Sequence, residues 1–203
     1  MAYYAVHIAM AQEPLLLRLL TARGKNALCC PIPRLGKLRI PVMVLPADSP
    51  LPEIPFRLRS VLVPLDGSPD CEEILATLKE LSSDETRYTL VHVAAPLHPV
   101  LRALGSDEAY EEDLVQQRRR AEEYLLRAVH RSVGKGCSCV GMVRVGLQPS
   151  REIIDACDEI GADMIALVTR GTSAVGRLLL GSVADKVLRT AKVPVLLQHV
   201  DVE

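Results

Sequence analysis

From residue 58 onward, short runs of Val, Leu and Ile alternate with longer stretches in which apolar positions recur every three to four residues. The first pattern is that of strands buried on both faces and the second that of amphipathic helices. Their alternation argues for βαβ units around a parallel sheet. Strands are predicted over 60–65, 88–94, 140–145, 163–168 and 193–199, and helices over 69–81, 107–132, 150–160 and 181–190. Two helix starts carry their own signals: Ser68 precedes Pro69 with Asp70, Glu72 and Glu73 in the first turn, and Ser150 stands two residues before Glu152.

The first 57 residues read differently. Pro46, Pro50, Pro52 and Pro55 mark an extended linker. Before it, Arg39-Ile-Pro-Val-Met-Val-Leu45 echoes Lys192-Val-Pro-Val-Leu-Leu197 near the end of the chain, and Arg23-Gly24 echoes Arg170-Gly171. The division expected is a degenerate segment and linker over 1–57, then one α/β domain over 58–203. The early segment is either the remnant of a preceding repeat or an extra element on the domain's edge. Charge follows the same boundary: residues 1–57 hold seven Lys/Arg against three Asp/Glu, and the rest 17 against 22.

With 203 residues, 49% of them hydrophobic, the chain can bury a substantial core. A net charge of −1 encodes no general attraction to nucleic acid or to acidic membranes, and one Phe with no Trp leaves few bases a stacking surface. The run Arg118-Arg119-Arg120 is flanked by Glu111, Glu112, Asp113, Glu122 and Glu123, which reads as a solvated helix face of mixed charge. No apolar run is long enough to span a membrane. The six cysteines fit neither a zinc knuckle nor a disulfide framework, so free thiols and a cytoplasmic location are expected. Cys137 and Cys139 share one face of an extended segment and are a candidate redox pair.

Two stretches carry chemistry. Ser60-Val-Leu-Val-Pro-Leu-Asp-Gly-Ser68 ends a strand on Asp66, at the carboxyl end of a sheet where ligands sit. There the carboxylate meets either a ribose hydroxyl or a metal-bound phosphate, or it stabilises the next helix terminus. The second stretch runs from Val168-Thr-Arg-Gly171 through a loop to Gly181-Ser182-Val-Ala-Asp-Lys-Val-Leu-Arg189. Backbone N–H groups at that helix start, with the Ser182 hydroxyl, make a natural phosphate site, and Gly181 permits close approach. His92 is read as a satisfied core or rim residue.

These two stretches together resemble the universal stress protein family, over about residues 58–200. The resemblance implies an open five-stranded parallel sheet with helices on both faces, in the flavodoxin-like strand order 3-2-1-4-5. It implies a site for ATP, with Mg²⁺ on Asp66, formed by Pro64, Leu65, Asp66, Val93, Val168, Arg170, Gly171, Gly181, Ser182 and Val183. Within that set, Asp66 meets the nucleotide, Val93 lines the adenine site and Val183 donates a backbone N–H near phosphate. The family's nucleotide motif begins with a glycine where this chain has Val168, a β-branched residue that narrows the space and resists positive φ. Arg170 or Arg177 is a candidate phosphate partner.

The resemblance also implies a homodimer through the edge strand that begins at Val193 and ends at Val200, where Pro194 suits an edge position. Three functions follow from these residues: a nucleotide-binding stress-response module, an adaptor of the same fold that binds no nucleotide, and a weak ATPase or phosphotransferase. The last has no general base beside an evident nucleophile.

Overall fold

A computed structural model describes residues 3–9, 16–19, 42–46, 58–81, 83–96, 107–132, 138–171 and 181–201. The strands are β1 (Tyr3–Ala9), β2 (Leu16–Leu19), β3 (Val42–Pro46), β4 (Ser60–Pro64), β5 (Arg87–Ala94), β6 (Ser138–Val145), β7 (Met164–Gly171) and β8 (Val195–Asp201). The helices are α1 (Ile74–Leu81), α2 (Asp107–Ser132), α3 (Pro149–Ile160) and α4 (Ser182–Thr190). All eight strands form one sheet in the order β2-β1-β3-β8-β7-β4-β5-β6.

The five strands from β4 to β8 are mutually parallel, and β6-β5-β4-β7-β8 is the expected 3-2-1-4-5 order. Side chains alternate between two cores. Val61, Val63, Met164, Ala166 and Leu196 pack with Ile74, Leu75 and Leu78 of α1 and Leu125 and Ala128 of α2. On the opposite face, Leu62, Val91, Ile165, Leu167, Val195 and Leu197 pack with Ile153, Ala156 and Cys157 of α3 and Ala184, Val187 and Leu188 of α4. Uninterrupted aliphatic runs in the sequence are therefore strands buried from both sides.

Capping explains the helix limits. Pro149 opens α3, and Gly161 closes it in the left-handed conformation at φ 59°. On α4, Ala184, Val187 and Leu188 face inward while Arg189 pairs with Asp185 at 2.8 Å on the outer side. Arg118 and Arg119 pair with Glu122 and Glu123, each at 3.2 Å, as a mixed-charge helix face requires.

Burial first, and then the negative charge of Asp158, push the Cys157 thiol from 9.0 up to about 11. The protonated thiol is thus the form the fold prefers. Its contribution is fully present below pH 9 and is lost as pH rises through about 11. Urea unfolding is expected to show the wild type losing more stability than Cys157→Ala across that interval.

Three details add to these expectations. First, beside the five parallel strands β3 pairs antiparallel with β8, and β1 and β2 extend the sheet beyond it, which is the extra edge element among the alternatives for the early segment. Second, within the edge strand from Val193 to Val200, Val195–Leu197 pair with Val42–Val44 of the same chain. Third, the helix expected from residue 69 starts as a 3₁₀ turn, Asp70–Glu73, before α1. The Ser68 and Cys71 bonds described below tighten that turn. Gly24, Cys137, Arg177 and residues 50–55 of the linker lie outside the described residues.

Candidate functional site

At the carboxyl ends of the parallel strands the chain reverses direction across the sheet: β4 leads to β5 on one side, and β7 lies on its other side. Such a switch point leaves a crevice between the diverging connections. The crevice is a cavity of about 480 Å³. Its wall is built by Pro64 at the end of β4 with Leu65 and Asp66 after it, by Val93 on β5, by Val168 and Thr169 on β7, and by Gly181, Ser182 and Val183 at the start of α4. Eight of the ten residues expected to form the site thus meet at one place, although they lie over a hundred positions apart in sequence.

Arg170 and Gly171 end β7, paired in register with Val200 and Asp201. The Arg170 side chain and residues 172–180, which lead on to Gly181, are outside the described residues.

The loop after β4 is held by its own polar groups. Asp66 Oδ1 accepts hydrogen bonds from the Ser68 N–H at 2.9 Å and from the Ser68 hydroxyl at 2.6 Å. Between them Gly67 takes φ +92°, a conformation that a side chain resists. An alanine Cβ there meets only His92 Cε1, at 3.8 Å, so the cost of substitution is backbone strain and not a clash. Gly67→Ala is expected to lower stability by about 1–2 kcal/mol, read as a reduced thermal midpoint.

Beneath the loop, Cys71 Sγ accepts from the Asp66 N–H and donates to the Ser68 carbonyl, both at 3.3 Å. Burial raises the pKa of this thiol, which keeps it protonated and suited to that donor role. Tyr124 of α2 stands 3.9 Å from the same sulfur, and its phenol is also raised, chiefly by burial. Asp66 therefore does two things: it orders its own loop, and it presents an exposed carboxylate group at the cavity wall.

His92 also lines the cavity. Its Nδ1 lies 2.8 Å from the Leu65 carbonyl, which can only accept, so Nδ1 carries the proton. The ring is thereby fixed and packs edge-on to Tyr124 at 5.7 Å. Among the lining residues, Cys71, Thr169, Pro149 and Ile153 are additions to the sequence reading. The Pro149-Ser150 helix start is the signal that places α3 beside the site, whereas nothing local marks Cys71.

The α4 terminus has the character expected of it. Gly181 is its N-cap, with no side-chain cap bond, and Gly181 and Ser182 are exposed. The amide of Asp185 is taken by the Gly181 carbonyl at 3.0 Å, within the helix. The first turn thus presents its N–H groups and the positive end of its dipole to the cavity. Gly181 itself has φ −52° and ψ 148°, ordinary extended backbone, and an added Cβ meets nothing among the described residues within 4 Å. Its backbone conformation does not require glycine.

Val168 is a regular, half-buried member of β7, opposite Gln198, and it packs against the α1/α2 core. No described non-glycine residue has positive φ. Val168 thus has ordinary strand backbone and lines the cavity.

Among the described residues no group of three His, Cys, Asp or Glu side chains is placed to hold a metal ion. Asp66 is the single carboxylate among the lining residues. No described helix is long and apolar enough to cross a membrane.

The family model for the universal stress protein family matches residues 57–199. A universal stress protein from Thermus aquaticus is 31% identical over 140 residues, covering 68% of this chain and 97% of the relative. Universal stress protein Sll1388 from Synechocystis is 29% identical over 150 residues, again 68% of this chain and 97% of the relative. Among solved structures, that of the hypothetical protein MJ0577 superposes with a TM-score of 0.61 at 22% identity, over 72% of this chain and 99% of its own. A family match over well more than half its length, on a sheet of the expected order, means that this chain belongs to the universal stress protein family.

Proposed function

We propose that the chain is a stress-response module that binds an adenine nucleotide, ATP in the first instance, in the cavity between β4, β7 and the start of α4. The observation that carries this reading is the convergence of a carboxylate, an apolar wall and an uncapped helix start on one crevice at the switch point. Phosphates would take the N–H groups of Ser182 and Val183 with the Ser182 hydroxyl, where dipole and donors both favour negative charge. Asp66 would accept from a ribose hydroxyl, its loop already ordered by the Ser68 bonds. Val93, with Pro64 and Leu65, would supply the flat apolar surface for the base.

A Mg²⁺ ion would arrive with the nucleotide, its shell completed by phosphate oxygens and water, because Asp66 supplies only one carboxylate. Cys71, Cys139 and Cys157 form no disulfide among the described residues, which fits a reducing compartment, and we place the protein in the cytoplasm.

Titration calorimetry with Mg-ATP on protein stripped of carried-over nucleotide tests the reading. Saturable binding is expected, and Asp66→Ala is expected to weaken it roughly tenfold, about 1.4 kcal/mol. Saturable binding that Asp66→Ala leaves unchanged would remove the carboxylate from the site.

A further inference from the structure

A second cavity, of about 450 Å³, lies between the carboxyl end of β5, Gly67 and α2. That volume suits a small organic molecule. The space is there because the residues around it are small: Gly67 in the loop after β4, Ala94 and Ala95 at the end of β5, and Ala121 on α2.

One charge faces it, and that charge is unanswered. Of the three consecutive arginines on α2, Arg118 and Arg119 are taken by Glu122 and Glu123, four positions on. Arg120 has no such neighbour. Four positions after it stands Tyr124 and four before it Gln116, while Glu123 is already held by Arg119. Among the described residues Arg120 makes no ion pair, and it is the arginine of the three that lines the cavity. Asp113, the acid two turns earlier on the helix, is engaged by Gln117, whose Nε2 donates to its Oδ2 at 2.5 Å. No carboxylate is among the described lining residues.

The remaining wall is apolar, with acceptors at its margin. Tyr124 offers its ring, since its hydroxyl stands 3.9 Å from the Cys71 sulfur. Gln117 keeps Oε1 as an acceptor after donating to Asp113. The His92 ring lines this cavity as well as the first, and with Nδ1 donating to the Leu65 carbonyl its Nε2 is an acceptor too.

We propose that this cavity is a second binding site, for a small organic anion: an aromatic body that bears one carboxylate or phosphate group, with the anionic group on Arg120. A planar guanidinium meets either oxyanion with paired N–H donors. Ala94, Ala95 and Ala121 leave room for a flat body beside the Tyr124 ring. A hydroxyl on that body finds its acceptors in Gln117 and His92. The site is independent of the nucleotide reading, because it uses neither Asp66 nor the start of α4.

Amide chemical-shift mapping on the isotopically labelled full chain tests this, with para-hydroxybenzoate, phenyl phosphate and the uncharged para-hydroxybenzamide as probes. The preferred anion is expected to move the amides of Gly67, Ala95, Gln117 and Ala121 along one saturating curve. The uncharged amide is expected to bind at least about tenfold more weakly. Whichever anion binds more tightly identifies the group that the site takes. Arg120 is exposed, so Arg120→Gln leaves the core intact, and it is expected to bring the anion down to the level of the uncharged probe. Ala95→Phe, which fills the cavity from an exposed position while Arg120 stays in place, is expected to abolish binding. Anions that move only Ser182 and Val183, or that move no amide at millimolar concentration, would overturn the proposal. So would binding that is no tighter than that of the uncharged probe, or that Arg120→Gln leaves unchanged.

Discussion

Gly181→Val is expected to weaken ATP binding roughly a hundredfold, about 2.7 kcal/mol, while changing unfolding stability by no more than about 1 kcal/mol. The separation follows from geometry. At φ −52° and ψ 148° the backbone accepts any L-residue, and among the described residues a Cβ placed there meets no atom within 4 Å. Valine therefore disturbs no packing among the described residues, and at an N-cap without a side-chain cap it removes no hydrogen bond. Its methyl groups instead project at the cavity lip beside Ser182 and Val183, where phosphate oxygens must approach the helix N–H groups. Calorimetry with Mg-ATP reads the first quantity and urea unfolding the second. A loss of stability that accounts for the lost binding would assign Gly181 to the fold.

Leu62→Ala is expected to do the reverse, costing about 2–5 kcal/mol of stability. Leu62 lies in β4, the central parallel strand, with its backbone between Thr89 of β5 and Ile165 of β7. It is 0% exposed and belongs to the core against α3 and α4. Alanine leaves a void with neighbours on every side, and the flanking strands limit how far the site can collapse. The measurement is the urea midpoint at constant slope. A change below about 1 kcal/mol would mean that the sheet centre is less tightly packed than its burial implies.

Much of this architecture is legible in the sequence because strands buried on both faces must be continuously apolar. Val61 to Val63, Leu90 to Val91 and Ile165 to Leu167 announce themselves as such. α2 matches its expected limits, 107–132, since its polar and apolar positions keep one period over many turns. Ends were less legible. β7 was expected to stop at Val168, yet it pairs with β8 as far as Gly171, because ladder bonds to a neighbour extend a strand beyond its apolar run.

The site divides in the same way. Asp66, Gly181 and Ser182 are visible as a carboxylate after a strand and a glycine-serine helix start, both local signals. Cys71 is not, since its role depends on loop bonds and on Tyr124, 53 positions away. Val168 is legible as the end of an apolar run and stands in the β7 ladder opposite Gln198. The echo between the two segments offers the early one as an extra element on the domain's edge, and Val42–Val44 pair there with Val195–Leu197.

The central claim is that ATP lies in the switch-point cavity, and amide chemical-shift mapping on isotopically labelled protein tests it most directly. Titration with Mg-ATP is expected to move the amides of Leu65, Asp66, Val93, Ser182 and Val183 together, along one saturating curve. Those of β6, at the far edge of the sheet, are expected to stay in place. Millimolar ATP that leaves the first group unmoved, or that shifts only amides away from the cavity, would contradict the account.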